Sequence, residues 1–463
     1  MIALQASAIA EIVGGKLHGD DCLVTAAPEI SSLKSTDGSI FLAIKGENVD
    51  GHDYISDAFA KGAVLALTSR VSKERCVVVP DVVQAISQLA THIRSLLPEL
   101  TVIGITGSQG KTTTKELLSH VLAGHGETIA PTGNYNNELG VPLTLLRCTE
   151  STKFAVIEMG ARHMGDIAAL CEIAKPNIGV VLRVAAAHLG EFGSLEKIAQ
   201  TKSEMIEGLK GKGVAVLGTY DSYTPKMSSK HSGLVITFGE TSENPIRATE
   251  IELREGCAHF DLVTPGGRSP VALRLVGLHQ VANALAAAAV AHILGFSTDE
   301  IANSLSLADS QAKWRMEIHQ LPELTLINDA YNASPDSMEA ALRTLAYFSQ
   351  ERGGESWAFL GKMAELGESS SQEHEKIGTL ASEIGIDHLI AIASPEFAGA
   401  VVGSVGGETG MSIHLCADKS EALKLIEFIN PGDVVLCKGS RSAGLEEVAD
   451  EVINRWKLRM ENQ

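Results

Sequence analysis

The stretch V-I-G-I-T-G-S-Q-G-K-T-T-T, residues 102–114, decides how the rest of the chain is read. Residues 102–105 form the short apolar run of a buried parallel strand. Glycines stand at 104, 107 and 110, followed by Lys111 and the threonines 112–114. Leu117, Leu118, Val121 and Leu122 then fall at helical spacing. Strand, glycine turn and helix N-terminus in that order make a phosphate cradle. The first N–H groups of the helix have no partner inside it, and its dipole adds positive charge there. Glycine lets the backbone close in without Cβ clashes. Lys111 can reach the outer phosphates and the Thr112 hydroxyl can touch Mg²⁺. The pattern G-x-x-x-x-G-K-[ST] puts a glycine where Ile105 stands; here Gly104 and Gly107 lie on either side. The alternative is a glycine-rich turn with a surface lysine.

Working outward, 463 residues suggest about three domains at roughly 150 residues each. A net charge of −19 argues against nucleic acid as a partner, because neutralising phosphates needs a basic face. Seven cysteines, at 22, 76, 148, 171, 257, 416 and 437, form no C-x-x-C pair, which fits a reducing compartment. Residues 1–10 are apolar but lack a basic leader region. The longest apolar run, 284–296, is too short to span a bilayer. The expectation is a cytoplasmic monomer with no stable membrane insertion.

Residues 1–97 read as a small α/β domain. Strands are expected at 40–44 and 63–67, with a helix near 53–61 and the polar loop G-E-N-V-D-G-H-D-Y-I between, either a ligand loop or a solvated connection. Residues 98–309 read as the nucleotide domain. Asn134, Asn136 and Asn137 precede an apolar segment and suit either a polar ligand or a turn. A strand at 154–157 ends at Glu158, where a carboxylate can hold Mg²⁺ at the ligand-binding rim of a parallel sheet. A third strand, 178–184, leads to His188. The next helix starts near Ser194, and Lys202 falls on its apolar face, four after Ile198 and seven after Leu195. Such a lysine either snorkels to water or, if buried, shifts towards its neutral amine, which can take up CO₂ as a carbamate. Alternating stretches at 234–238, 248–253, 258–262 and 271–276 read as antiparallel hairpins. His279 and Asn283, four apart at the start of a core helix, serve either as caps or as contacts to a nucleotide base. Residues 310–463 alternate strand and helix as a Rossmann-like doubly wound sheet without a G-x-G-x-x-G fingerprint. The polar clusters D-A-Y-N-A-S-P-D-S (329–337), G-K-M-A-E-L-G (361–367) and K-G-S-R (438–441) sit at strand ends and point to one cleft.

Together with T-G-S-Q-G-K-T-T (106–113), N-Y-N-N-E-L-G-V-P-L-T-L-L (134–146), E-M-G (158–160), A-H-L-G-E-F-G-S (187–194), T-K-S-E (201–204) and N-A-L-A-A (283–287), these motifs resemble the Mur ligases over nearly the whole chain. These are the ATP-dependent amide ligases of peptidoglycan precursor synthesis. The resemblance implies an α/β fold of three domains: a small substrate domain, a central P-loop ATPase domain with a mostly parallel sheet plus antiparallel hairpins, and a C-terminal Rossmann-like domain. The Y-N-A-S-P segment with K-G-S-R points to the member that adds D-alanyl-D-alanine to a UDP-N-acetylmuramoyl-tripeptide. The D-N-P-R of the member adding the third amino acid is absent.

By position, the resemblance assigns Thr106, Gly107, Ser108, Gln109, Gly110, Lys111, Thr112 and Thr113 to the ATP phosphates. It assigns Thr112 and Glu158 to one Mg²⁺, and His188 with a carbamylated Lys202 to a second. The catalytic group is Lys111, His188 and Lys202. Asn283, Arg315 and Asp329 would contact ATP, with Asp329 at the ribose. Asn134, Asn136, Asn137, Tyr331, Asn332, Lys438, Ser440 and Arg441 would serve the other substrates, and the first domain the uridine. The chain departs from the family pattern in four places. S-S-L (31–33) replaces D-S-R, and L-R-V-A (182–185) replaces T-N-I-G, which introduces Arg183. Trp314 and Lys362 replace a glycine and an aspartate. A related ligase acting on another acid, such as a folate–glutamate ligase, and a P-loop ATPase without covalent product are the alternative readings.

Overall fold

A computed structural model describes residues 1–463 except 47, 132, 134, 187–188, 210–212, 310–312, 400–409 and 462–463. Three α/β units follow one another along the chain. The first holds a four-stranded sheet in the order Lys16–His18, Cys76–Val78, Leu65–Thr68, Ile40–Ala43, antiparallel only at its first strand. Its last helix, Val82–Leu96, starts at Asp81, whose carboxylate accepts from the N–H groups of Val83 and Gln84. Ile86, Leu89 and Ile93 of that helix join one core with Ile167, Leu170 and Ala174 of the next unit. Arg94 is buried in the seam and donates to the carbonyls of Ala174 and Leu97 and to Asn177 Oδ1. A guanidinium with its donors met by fixed acceptors holds the two units in one orientation.

The central sheet has nine strands. Thr101–Thr106 lies between Ile178–Val181 and Phe154–Glu158, all parallel. Ile105 aligns with Glu158 and Thr106 with Val181, so the three strands end at one rim. Helix Lys111–Ala123 leaves that rim and packs on Gln280–Ile293, whose residues 284–291 are all buried. Their mostly alanine side chains let the two helices lie close.

The hairpin expectation needs one correction. Ile246–Arg254, Cys257–Thr264 and Gly267–Val276 form an antiparallel meander. Val235–Gly239, however, runs parallel both to Val214–Gly218 and to Ile246–Arg254. It is reached through the 3₁₀ segment Pro225–Lys230, a crossover and not a tight turn.

The last sheet runs Glu317–Leu321, Leu324–Asp329, Val434–Lys438, Ser356–Leu360, His388–Ile392, Ser412–Cys416, antiparallel only at its first strand. One face packs on Pro335–Arg352 and Ser370–Glu383, the other on Glu446–Glu461. This is the expected doubly wound arrangement. None of the seven cysteines forms a disulfide. Among the described residues no helix is long and apolar enough to cross a membrane.

Candidate active site

The rim of the central sheet faces the rim of the last sheet across a cleft of about 1200 Å³. The central side begins with the glycine loop. Gly110 takes φ +80° at the N-cap of Lys111–Ala123. A Cβ there would stand 2.2 Å from Asn283 Oδ1, so only glycine fits. Asn283 lines the cleft, but its amide is engaged locally. It donates to Gln280 Oε1 at 2.8 Å and its oxygen accepts the Thr114 hydroxyl at 3.3 Å. The structure thus places Asn283 as a brace behind the loop.

Lys111 Nζ donates to the Gly107 carbonyl at 2.8 Å. Burial lowers its pKa, opposed by the charge of Glu158 and assisted by that of Arg315. Thr112 Oγ1 donates to Glu158 Oε2 and Asn136 Nδ2 to Oε1, both at 2.9 Å. Glu158 is almost wholly buried at its strand end. Lys202, on Leu195–Glu207, is also buried, and its amine is pushed down to about 7, first by burial and then by the charge of Lys111. The face predicted from its spacing is therefore the buried one. Ser108, Gln109, Gly110, Lys111, Thr112 and Thr113 all line the cleft, with Asn136 and Asn137; Thr106 is buried beneath, its hydroxyl unpartnered among the described residues. His188 and Asn134 lie outside the described residues.

Among the described residues no three His, Cys, Asp or Glu side chains cluster as a metal cage. The Thr112 hydroxyl and Glu158 carboxylate instead supply two hard oxygens beside an anion-binding loop. That donor set fits Mg²⁺, which keeps waters and phosphate oxygens as most of its ligands.

On the facing side, register sets Asp329 beside Lys438 on adjacent strands. Asp329 Oδ2 lies 2.5 Å from Lys438 Nζ, and its Oδ1 accepts the Met316 N–H at 3.0 Å. Lys438 also donates to the Asn332 carbonyl at 2.8 Å. Arg315 stacks over the Tyr331 ring, 4.0 Å from its centroid. All six residues line the cleft. Ser440 and Arg441 do not. Ser440 Oγ accepts the Ala364 N–H at 2.7 Å, while Arg441 pairs with Glu446 and stacks on Trp314. The K-G-S-R motif therefore points one residue into the cleft and uses two to brace the loops behind it.

One residue supporting the cleft carried no clear signal in the sequence. Lys115, one turn after Lys111, is buried and donates to the carbonyls of Pro131 and Gly133 at 3.1 and 3.0 Å, holding the asparagine loop against the helix. Its place one turn inside the first helix was the available clue. His279, read as a cap or base contact, makes no side-chain cap and lines the cleft. Its ring is solvent-accessible within the cleft, yet the crowding of the cleft walls lowers its pKa, with Asp329 opposing and Lys438 and Arg183 adding to the effect. At the first-domain end, Ile30 lines the cleft and Leu33, where the family pattern has arginine, is 82 % exposed.

Three family profiles match in chain order: "Mur ligase family, catalytic domain" over 29–95, "Mur ligase middle domain" over 105–291, and "Mur ligase, glutamate ligase domain" over 314–441. The UDP-N-acetylmuramoyl-tripeptide–D-alanyl-D-alanine ligase of Mycobacterium tuberculosis is 40 % identical over 500 residues, covering 98 % of both chains. The Escherichia coli enzyme of the same name is 36 % identical over 97 % of this chain and 98 % of its own. A crystal structure of MurF from Acinetobacter baumannii superposes with a TM-score of 0.87 at 34 % identity, covering 97 % of this chain and 99 % of that one. MurF ligase from Thermotoga maritima, solved with ADP, gives 0.77 at 30 % identity over 93 % of this chain and 99 % of its own. The chain belongs to the Mur ligase family.

Proposed function

We propose that this chain joins D-alanyl-D-alanine to UDP-N-acetylmuramoyl-tripeptide at the expense of ATP, giving ADP and phosphate. End-to-end similarity to ligases of that name supports the substrates. The observation that carries the chemistry is the convergence of Lys111, Thr112, Glu158 and Lys202 on one wall of a cleft whose other wall holds Arg315, Asp329 and Lys438.

A peptide carboxylate is a poor acyl donor. Its oxygen attacks the γ-phosphorus of ATP, the bond to ADP breaks, and an acyl phosphate forms. The amine of D-alanyl-D-alanine then attacks the carbonyl carbon, loses a proton, and expels phosphate from the tetrahedral intermediate. Phosphoryl transfer relies on positioning and charge stabilisation more than on covalent help. Loop N–H groups and Lys111 hold the phosphates, while Asp329 and Arg315 hold the nucleoside end. The Asn136 and Asn137 amides, with Asn134, orient the muramoyl peptide, and Tyr331 and Asn332 face the incoming dipeptide. Holding the reactants in line removes on the order of 7–11 kcal/mol of barrier. Thr112 and Glu158 would hold one Mg²⁺, and a carbamylated Lys202 with His188 a second; ions held there would neutralise charge on the phosphoryl oxygens. Enclosure between two domains keeps water from the acyl phosphate. The reading places the reaction in the cytoplasm, where ATP is supplied, with one chain building the whole cleft.

Incubation with ATP, Mg²⁺, D-alanyl-D-alanine and a panel of muramoyl tripeptides tests this by mass spectrometry. The expected product is the tripeptide plus the dipeptide less one water. Phosphate release with folate and glutamate but not with these substrates would replace the reading by the folate-type alternative.

A further inference from the structure

Two elements of the central domain converge on one carboxylate of the last domain. The side-chain amide of Gln109, inside the glycine loop, donates to Asp336 Oδ2 at 3.2 Å and to Ser334 Oγ at 3.1 Å. Arg183, two residues past the strand Ile178–Val181, brings Nη2 to 3.9 Å from Oδ1 of the same Asp336. These two elements are themselves fastened together. The Ser108 N–H donates to the Arg183 carbonyl at 2.9 Å. Ser108 Oγ accepts the Ala185 N–H at 2.9 Å and donates to the Ala185 carbonyl at 3.0 Å. Asp336 stands in the first turn of Pro335–Arg352, where the helix dipole favours a carboxylate. Each of its oxygens thus meets a different central-domain element. Arg183 Nε is buried and has no hydrogen-bond partner among the described residues, while its Nη2 faces the Asp336 carboxylate.

We propose that Asp336 is a positioning residue. It docks the last domain onto the glycine loop through Gln109 and Arg183, and so brings Asp329 and Lys438 over the nucleotide when the loop holds its phosphate-binding shape. The inference rests on the reading of that loop as the nucleotide site. It gives Arg183, which the family pattern does not explain, a partner and a task. Gln109 lies between Gly107 and Gly110, so the direction of its side chain follows the loop backbone. A loop that loses its shape withdraws the amide from Asp336, and the joint then rests on Arg183 alone.

The test uses the full chain with Asp336→Asn, Arg183→Gln, the double variant and Asp336→Glu. Small-angle X-ray scattering, with and without a nonhydrolysable ATP analogue, reads compaction. Calorimetry reads analogue affinity, and steady-state ligation reads kcat and KM separately. Asp336→Asn is nearly isosteric, and Arg183→Gln probes the joint from the other side. The expected result is analogue affinity within about threefold of wild type, a more extended chain than wild type both with and without the analogue, and kcat down at least tenfold. Asp336→Glu should recover part of kcat, and the double variant should be no worse than the poorer single one. Unchanged compaction and kcat in Asp336→Asn would overturn the joint. So would multiplying effects of the two substitutions, or a large loss of analogue affinity, which would make Asp336 part of the nucleotide site. A wild-type chain that does not bind the analogue would overturn the nucleotide reading itself.

Discussion

Lys438 Nζ sits 2.5 Å from Asp329 Oδ2, with side-chain exposures of only 2 % and 12 %. The two residues are 109 positions apart and meet because their strands are neighbours in register. An ion pair this far from water is held by mutual neutralisation. Removing one partner leaves a bare charge, which typically costs about 3–5 kcal/mol. Asp329→Asn should therefore destabilise the last domain by about that amount in urea unfolding. Adding Lys438→Met should recover much of the loss, because the uncompensated ammonium is gone. If the double variant is as unstable as the sum of both single ones, the pair is not the source of the effect.

Lys202 should trade stability for chemistry. Its amine titrates near 7 in the folded chain against 10.5 for a free lysine. Between those values the unfolded chain binds more protons than the folded one, so stability rises with pH across the window. The penalty is fully present below pH 7. Lys202→Met should accordingly raise the melting temperature at pH 7 and flatten its pH dependence between about 7 and 10.5. The neutral amine that burial favours can attack CO₂, releasing a proton and forming a carbamate. Ligation should hence decline as pH falls below 7 and increase with added bicarbonate. Lys202→Ala should lose activity about 10²-fold or more, in line with losing a preorganised group at a site of developing charge. A short carboxylic acid should restore part of it. Full activity in Lys202→Ala without rescue would sink the carbamate.

Much of this was legible from the residues. The three strands ending at the central rim were marked by apolar runs, and the spacing of Leu195, Ile198 and Lys202 showed which helix face the lysine shares. What spacing could not decide was whether that face was deep enough to strip the lysine of water, because this depends on the neighbouring strands and Lys111. Val235–Gly239 alternates like a hairpin strand, yet its partners are fixed by the crossover that delivers it. The contact from Gln109 to Asp336 spans 227 residues between two separately folded sheets, and no local pattern encodes it. K-G-S-R read as a single binding motif, but register turns Lys438 inward while Ser440 and Arg441 fall on the supporting loop.

Gly110→Ala should separate loop geometry from overall folding. The added methyl meets φ +80° and an oxygen of Asn283 2.2 Å away. Left-handed backbone alone costs a non-glycine residue about 1–2 kcal/mol, and Asn283 can yield only by leaving Thr114 or Gln280. Calorimetry should show ATP affinity lowered at least tenfold, with circular dichroism unchanged. Wild-type affinity would mean that the loop does not approach phosphate closely.

Lys111→Ala should sharply reduce ATP-dependent ligation while leaving the melting temperature equal or higher, since a partly buried, desolvated ammonium is removed. The loss in kcat should be about 10²–10³-fold, the range for deleting one charge-stabilising donor. Near-normal turnover would take the glycine loop out of the mechanism.

Trp314 occupies a left-handed backbone position, φ +60°, where the family pattern has glycine. Its carbonyl accepts the Tyr331 N–H at 3.0 Å, which ties this strained residue to the strand end carrying Asp329. Its ring lies 4.4 Å from the Arg441 guanidinium, a cation–π contact worth about 0.5–1 kcal/mol where exposed. Trp314→Ala keeps the strain and loses the stack, so it should destabilise the last domain. Trp314→Gly loses the same stack but relieves about 1–2 kcal/mol of left-handed strain, offset in part by the larger freedom of glycine in the unfolded chain. The glycine variant should therefore be the more stable of the two in urea unfolding. Arg441→Ala should resemble Trp314→Ala in stability and leave KM for ATP unchanged, because Arg441 stands outside the cleft. A glycine variant less stable than the alanine one would show that the backbone at 314 carries no strain. The tryptophan would then be held by its ring contacts alone.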